Sequence, residues 1–178
     1  MSSIDELLTN SPFVFHEPLM YDGLRQVYLQ GGHIHVSIEK CLITTIVASS
    51  VAVALWDADL GIGGMNHFML PAEVGRDAKA ATPRYATPAM SGLLRQMLDA
   101  GARLDSLRAK IFGGACVIDG PLDSDAFHDL GRRNAEAARA RLTAEGIPIV
   151  EEQLGGAHGR KVTFRSENGW SVVKEVSR

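Results

Sequence analysis

Ser50 and His67 are the residues whose types could do covalent chemistry together. A serine hydroxyl is a weak nucleophile that needs a base beside it, and an imidazole is the side chain best suited to that task near neutral pH. Ser50 lies in Ala48-Ser49-Ser50, a short polar break between two apolar runs at residues 42–47 and 51–56. A tight bend there would let the side chain stand free while backbone N–H groups face a substrate carbonyl. His67 lies in Gly63-Gly64-Met65-Asn66-His67-Phe68-Met69-Leu70-Pro71, on what reads as a short strand. Taken singly, each residue also has an ordinary reading: a serine between apolar strands as a turn residue, and a histidine after Gly-Gly-Met-Asn as a packed or hydrogen-bonded one.

Other reactive side chains are less well placed. Cys116 follows Gly113-Gly114-Ala115 and reads as a small buried residue at a strand end, as does Cys41 ahead of its own strand. His33 and His35 alternate on a strand and share a face, but no third ligand stands at a suitable spacing, so a solvated or edge position fits them better than a metal. The run Gly61-Ile62-Gly63-Gly64 is not followed by Lys-Ser/Thr and opens no helix, which argues against a phosphate loop. No Gly-X-Ser-X-Gly elbow of a serine hydrolase occurs around Ser50. Neither a metal nor an organic cofactor is called for.

The elements that must position these residues follow from apolar periodicity. Short strands are expected at residues 27–29 and 33–38, the second alternating Ile34, Val36 and Ile38 with polar neighbours. The runs at 42–47 and 51–56 show little alternation and read as central strands buried on both faces. Residues 61–64 read as a turn into a strand at 65–70, which Pro71 ends. A helix is predicted over 85–101, where Met90, Leu93, Leu94, Met97 and Leu98 form one apolar stripe and Gly101 is the stop. Residues 109–112 form another strand. A second helix spans 125–145, capped by Asp123 or Ser124, with Arg132, Arg133, Arg139 and Arg141 on a basic, solvated side. Strands at 147–150, 160–165 and 170–176 complete the chain, the last two joined at Glu167-Asn168-Gly169. Hairpin-like links outnumber helical crossovers, so a mixed sheet system with outer helices is expected rather than a doubly wound parallel sheet.

The 178 residues are enough for one domain with a sizeable core, read as residues 24–178 behind an N-terminal arm at 1–23. A formal net charge of −3 gives no general attraction to nucleic acid or anionic lipid, and 46% hydrophobic with 22% charged residues is an ordinary globular balance. The opening Met-Ser-Ser-Ile-Asp-Glu is acidic where a secretory signal would be basic, and the most apolar run is too short to span a bilayer. The expected location is cytoplasmic.

The segment around Ser50 and His67 resembles the signature of the CheD family, the chemoreceptor glutamine deamidases. There a nucleophilic Cys is followed seventeen residues later by a His and preceded by a Thr at six residues, positions that fall here on Ser50, His67 and Thr44. Further blocks resemble the family in order: Arg84-Tyr85, Ala109-Lys110-Ile111-Phe112-Gly113-Gly114, Arg133-Asn134, Gly146-Ile147-Pro148 and Gly159-Arg160-Lys161-Val162. Where the family reads Gly-Ser-Cys, this chain has Ala48-Ser49-Ser50, and two changes together read as divergence. The resemblance implies an α/β (α+β) layered sandwich of mixed β-sheets with flanking helices, similar to the deamidase domain of cytotoxic necrotizing toxins. It implies hydrolysis of receptor glutamine side chains to glutamate, with Ser50 in the nucleophile's place, His67 as base and Thr44 orienting it. The rival reading is a binding protein on the same scaffold, an adaptor for chemoreceptors or for a CheC-type phosphatase.

Overall fold

The computed structural model describes residues 23–71, 82–116 and 129–176. The expected N-terminal arm lies outside these residues except for Gly23, and so do the expected caps Asp123 and Ser124. Nine strands are described: β1 (Arg25–Tyr28), β2 (His33–Ser37), β3 (Cys41–Val47), β4 (Val51–Asp57), β5 (Ile62–Phe68), β6 (Leu107–Gly113), β7 (Ile149–Leu154), β8 (Gly159–Arg165) and β9 (Ser171–Val176). Two α-helices accompany them, α1 (Ala86–Asp99) and α2 (Leu130–Ala144).

The strands form a four-stranded sheet, β1-β3-β8-β9, and a five-stranded sheet, β2-β5-β4-β6-β7. Both are mixed: β1 runs parallel to β3 and β6 to β7, while the other pairs are antiparallel. The side-chain period of two sorts β4 between two cores. Val51, Val53 and Leu55 join Leu107, Ala109 and Ile111 of β6 under the buried faces of both helices. Ala52, Ala54 and Trp56 point the other way, onto Ile43, Val47, Val162 and Phe164 of the smaller sheet. The result is three layers, sheet on sheet on helices, a mixed α+β architecture as expected.

Several local expectations are corrected. β4 is buried along its whole length, but β3 is not: Thr44 is half-buried and Ile46 exposed on the face of β3 turned away from the larger sheet. The turn expected over 61–64 is confined to Gly61, and β5 begins at Ile62. Leu98 lies outside the buried stripe of α1, whose place is taken by Ala86 and Ala89 with Met90, Leu93 and Met97. Cys41 is buried, but Cys116 is exposed, since β6 has already ended at Gly113.

The chain leaves one sheet and enters the other at Ala48-Ser49-Ser50, between β3 and β4. That crossing is the bend expected from the sequence.

Candidate active site

The crossing is clamped from below. The carbonyls of three successive residues are held: Ala48 accepts from Ala115 N at 2.7 Å and Ser50 from Gly114 N at 3.0 Å. Ser49 accepts from Asn134 Nδ2 at 2.9 Å. This close approach needs Gly113 and Gly114, both at positive φ (112° and 63°), where a side chain would be strained. A Cβ on Gly113 would also overlap the Ser50 carbonyl, and one on Gly114 the Gly131 carbonyl of α2.

Above the clamp, Ser50 Oγ is 2.8 Å from His67 Nε2. His67 sits on β5 on the face turned toward the smaller sheet and is 7% exposed. Its other ring nitrogen, Nδ1, is 2.9 Å from Thr45 Oγ1. Thr45, fully buried on the inner face of β3, has one hydroxyl proton and donates it to the Leu29 carbonyl at 2.7 Å. The direction of the whole relay follows from that donation. Thr45 can only accept from His67, so Nδ1 carries the ring proton and Nε2 presents its lone pair to the Ser50 hydroxyl.

Burial pushes the imidazole pKa down to about 4, helped by the nearby charge of His33 and opposed by the Leu29 carbonyl. His67 is therefore neutral at pH 7 and able to accept a proton. His33 stands directly opposite His67 on the edge strand β2 and is exposed, while His35 is half-buried. No group of three or more His, Cys, Asp or Glu among the described residues has the arrangement of a metal site.

The structure brings Ser50 and His67 together, but not Thr44. Thr44 projects from the opposite face of β3, where its hydroxyl meets Thr163 across the strand pair at 3.1 Å. Successive residues of a strand face opposite sides, so only one member of Thr44-Thr45 can reach between the sheets. The buried member is Thr45. Asn134 was also not singled out as a site residue, although the block Arg133-Asn134 was. The signal was available: along α2, Gly131, Asn134, Ala135, Ala138 and Leu142 form one buried stripe, and Asn is the polar residue on it.

No helix among the described residues is long and apolar enough to cross a membrane. A family profile described as CheD chemotactic sensory transduction matches residues 69–175, a span that opens just after His67. The chain is 44% identical over 146 residues to the probable chemoreceptor glutamine deamidase CheD of Trichlorobacter lovleyi, covering 82% of this chain and 88% of that protein. It is 40% identical over 156 residues to the probable chemoreceptor glutamine deamidase CheD 1 of Dechloromonas aromatica, covering 88% and 76%. Against the protein of the same description from Anaeromyxobacter dehalogenans it is 41% identical over 157 residues, covering 86% of each chain. A solved Neisseria meningitidis structure of the family DUF152 aligns with 12% identity and a TM-score of 0.44 over 76% of this chain and 65% of that one, a likeness too slight to carry an argument. Identity at this level, sustained over more than four-fifths of the chain and joined to the profile match, places it: the chain belongs to the CheD family.

Proposed function

We propose that this protein hydrolyses glutamine side chains on the cytoplasmic domains of chemoreceptors to glutamate, with Ser50 as nucleophile and His67 as general base. The observation that carries the reading is the directed relay from Ser50 through His67 to Thr45 and the Leu29 carbonyl. Ser50 Oγ attacks the amide carbon while its proton passes to His67 Nε2. The imidazolium then protonates the departing nitrogen, and ammonia leaves an ester on Ser50. Water, deprotonated by His67, attacks the ester carbon and releases glutamate with Ser50 restored.

The developing oxyanion needs donors at the bend. In a trans peptide the C=O of one residue opposes the N–H of the next. With the carbonyls of Ala48, Ser49 and Ser50 all tied to the clamp, the N–H groups of Ser49 and Ser50 face away from it, and these are the donors assigned to the oxyanion.

A hydroxyl is essentially un-ionised at neutral pH without a base, whereas a thiol is a few per cent ionised. Among the described residues no carboxylate hydrogen-bonds His67, and the group behind its Nδ1 is the neutral Thr45 hydroxyl. Turnover with Ser50 is expected to be slow, and Ser50→Cys is expected to raise it by on the order of tenfold or more. Each glutamine converted would add a negative charge to a receptor helix and shift its signalling balance. The hydroxyl at position 50 favours a second reading, a cytoplasmic adaptor that binds receptors or a CheC-type phosphatase without turnover.

Mass spectrometry of a receptor cytoplasmic fragment, incubated with the protein or its Ser50→Cys and His67→Ala forms, separates the two. Glutamine-to-glutamate conversion by the unaltered chain, lost on His67→Ala, is the expected result. Binding of the fragment with no conversion by either the unaltered or the Ser50→Cys form would establish the adaptor.

A further inference from the structure

We infer that Asn134 is a positioning residue for catalysis, holding the Ser50 N–H toward the substrate and fixing the distance from the nucleophile bend to the strand that carries the base. The inference rests on the reading of Ser50 as nucleophile and adds to it the part that sets its backbone.

Asn134 lies on α2, outside both strands that carry the reacting groups, and is fully buried. Its Nδ2 donates at 2.9 Å to the Ser49 carbonyl and at 2.9 Å to the Met69 carbonyl. Both partners are carbonyl oxygens, which only the NH₂ end of the amide can satisfy, so the orientation of the side chain is fixed by its partners. The two carbonyls belong to the two halves of the site. Ser49 immediately precedes the nucleophile. Met69 is two residues past the base, beyond the end of β5 at Phe68, where its own N–H is held by the Arg84 carbonyl.

The Ser49 bond acts on Ser50 through one rigid plane. The Ser49 carbonyl and the Ser50 N–H share a trans peptide and point in opposite directions. Holding the carbonyl inward therefore holds the N–H of the nucleophile outward, as an oxyanion donor requires. The neighbouring peptides are tied by backbone donors, Ala115 N and Gly114 N, but this one depends on a side chain. It is the plane that a single substitution can release.

The choice of residue fits the same purpose. Asn is a poor helix former in the interior of α2, between Gly131 and Ala138 on the buried stripe, and its Oδ1 has no partner among the described residues. A fold-building role would be better served by an aliphatic residue of that size. The two donors are what an aliphatic residue lacks.

The test uses Asn134→Ala and Asn134→Asp in the full chain, each also in the Ser50→Cys background. The second keeps the size of the side chain and removes both donors. Each variant is followed by deamidation kinetics on the receptor fragment, by melting temperature, and by ¹⁵N NMR of the His67 ring. The expected result is a loss of about 100-fold in kcat with KM within about twofold, the lower end of the range for losing one oxyanion donor. Both variants should remain folded, and the Nε2 resonance should move as the Ser50 hydrogen bond loosens. Unchanged kcat and unchanged ring resonances would overturn the inference. So would loss of folding in both variants, which would assign Asn134 to the fold alone. If the parent forms do not deamidate the fragment, the proposed activity fails. The ring resonances then decide the positioning role by themselves: a moved Nε2 supports it, and an unmoved one overturns it.

Discussion

The two ends of β4 bury polar side chains to opposite purposes. At its C-terminal end, Asp57 is fully buried, and its carboxylate is closed on all sides. Oδ1 accepts from the N–H groups of Asp59 and Leu60 at 3.1 and 3.2 Å, and Oδ2 from Arg103 N at 3.1 Å. All three hydrogen-bond donors are backbone N–H groups, with the Arg103 Nε a further 4.0 Å from Oδ2, and the arrangement ties the β4–β5 turn to the segment after α1. At the N-terminal end, the hydrogen bonds run in one line from Ser50 to His67, Thr45 and Leu29, and the last hydroxyl is only partly buried. The Asp57 network has no member left over. The Ser50 network ends on a hydroxyl whose proton already points at a base. Burial with every partner fixed builds a turn, whereas burial that stops one group short of solvent builds a site.

The sharpest way to break this contrast is to remove the base. His67→Ala is expected to lower kcat for deamidation by about 10³-fold, within the range for a general base, when measured well below the melting temperature of the variant. A protein that still turns over with Ala at this position would show that the line of hydrogen bonds does not run through the imidazole.

Acid should strain the same end of the strand. The folded His67 pKa of about 4 lies below the ordinary 6.5, so the unfolded chain binds the extra proton between those values. The stability associated with neutral His67 is complete above about pH 6.5 and is lost as pH falls toward 4. The loss amounts to roughly 3 kcal/mol from the shift alone. Urea titrations at pH 7 and pH 4.5 should show a smaller loss in His67→Gln than in the parent, and equal losses would contradict the lowered pKa.

The closed end should answer differently. Asp57→Ala leaves three backbone N–H groups without their acceptor and is expected to cost about 2–3 kcal/mol of stability. Calorimetry should register a lower melting temperature, while kcat at a temperature well below melting stays within twofold. A fall in kcat comparable to that of His67→Ala would erase the distinction between the two ends.

The smallest expected effect separates adjacent residues. Thr45→Val removes the acceptor that fixes the His67 tautomer and should reduce kcat by about tenfold, or roughly 1.4 kcal/mol. Thr44→Val loses only a cross-strand hydroxyl pair on the other face of β3 and should leave kcat within twofold. Steady-state kinetics on the two variants would reverse the assignment if the larger loss followed Thr44.

Much of this was legible in the residues. The apolar runs and the polar break between them give the strands and the bend, while the pairing of Ser50 with His67, which the structure sets 2.8 Å apart, rests on the family spacing. What the residues did not give was facing. Thr44 and Thr45 are chemically identical neighbours, and family spacing selected the first while the inward face of β3 holds the second. A one-residue choice within a strand changes which layer a side chain enters, and that depends on which sheet covers it. For the same reason β3 reads as buried on both faces, whereas in the structure β4 alone of the two is buried at every position. On α2 the four arginines dominate the sequence pattern, and Asn134 stands among them without a charge to mark it. The informative position was the amide on the apolar stripe, not the charges on the solvated one.

The most direct test of the central claim is labelling with a fluorophosphonate, which captures serine hydroxyls activated by a base. At pH 7.5, peptide mass mapping should find the adduct on Ser50, absent from Ser49 and lost in His67→Gln. No adduct on Ser50, or labelling that persists without His67, would contradict an activated nucleophile at the crossing between the sheets.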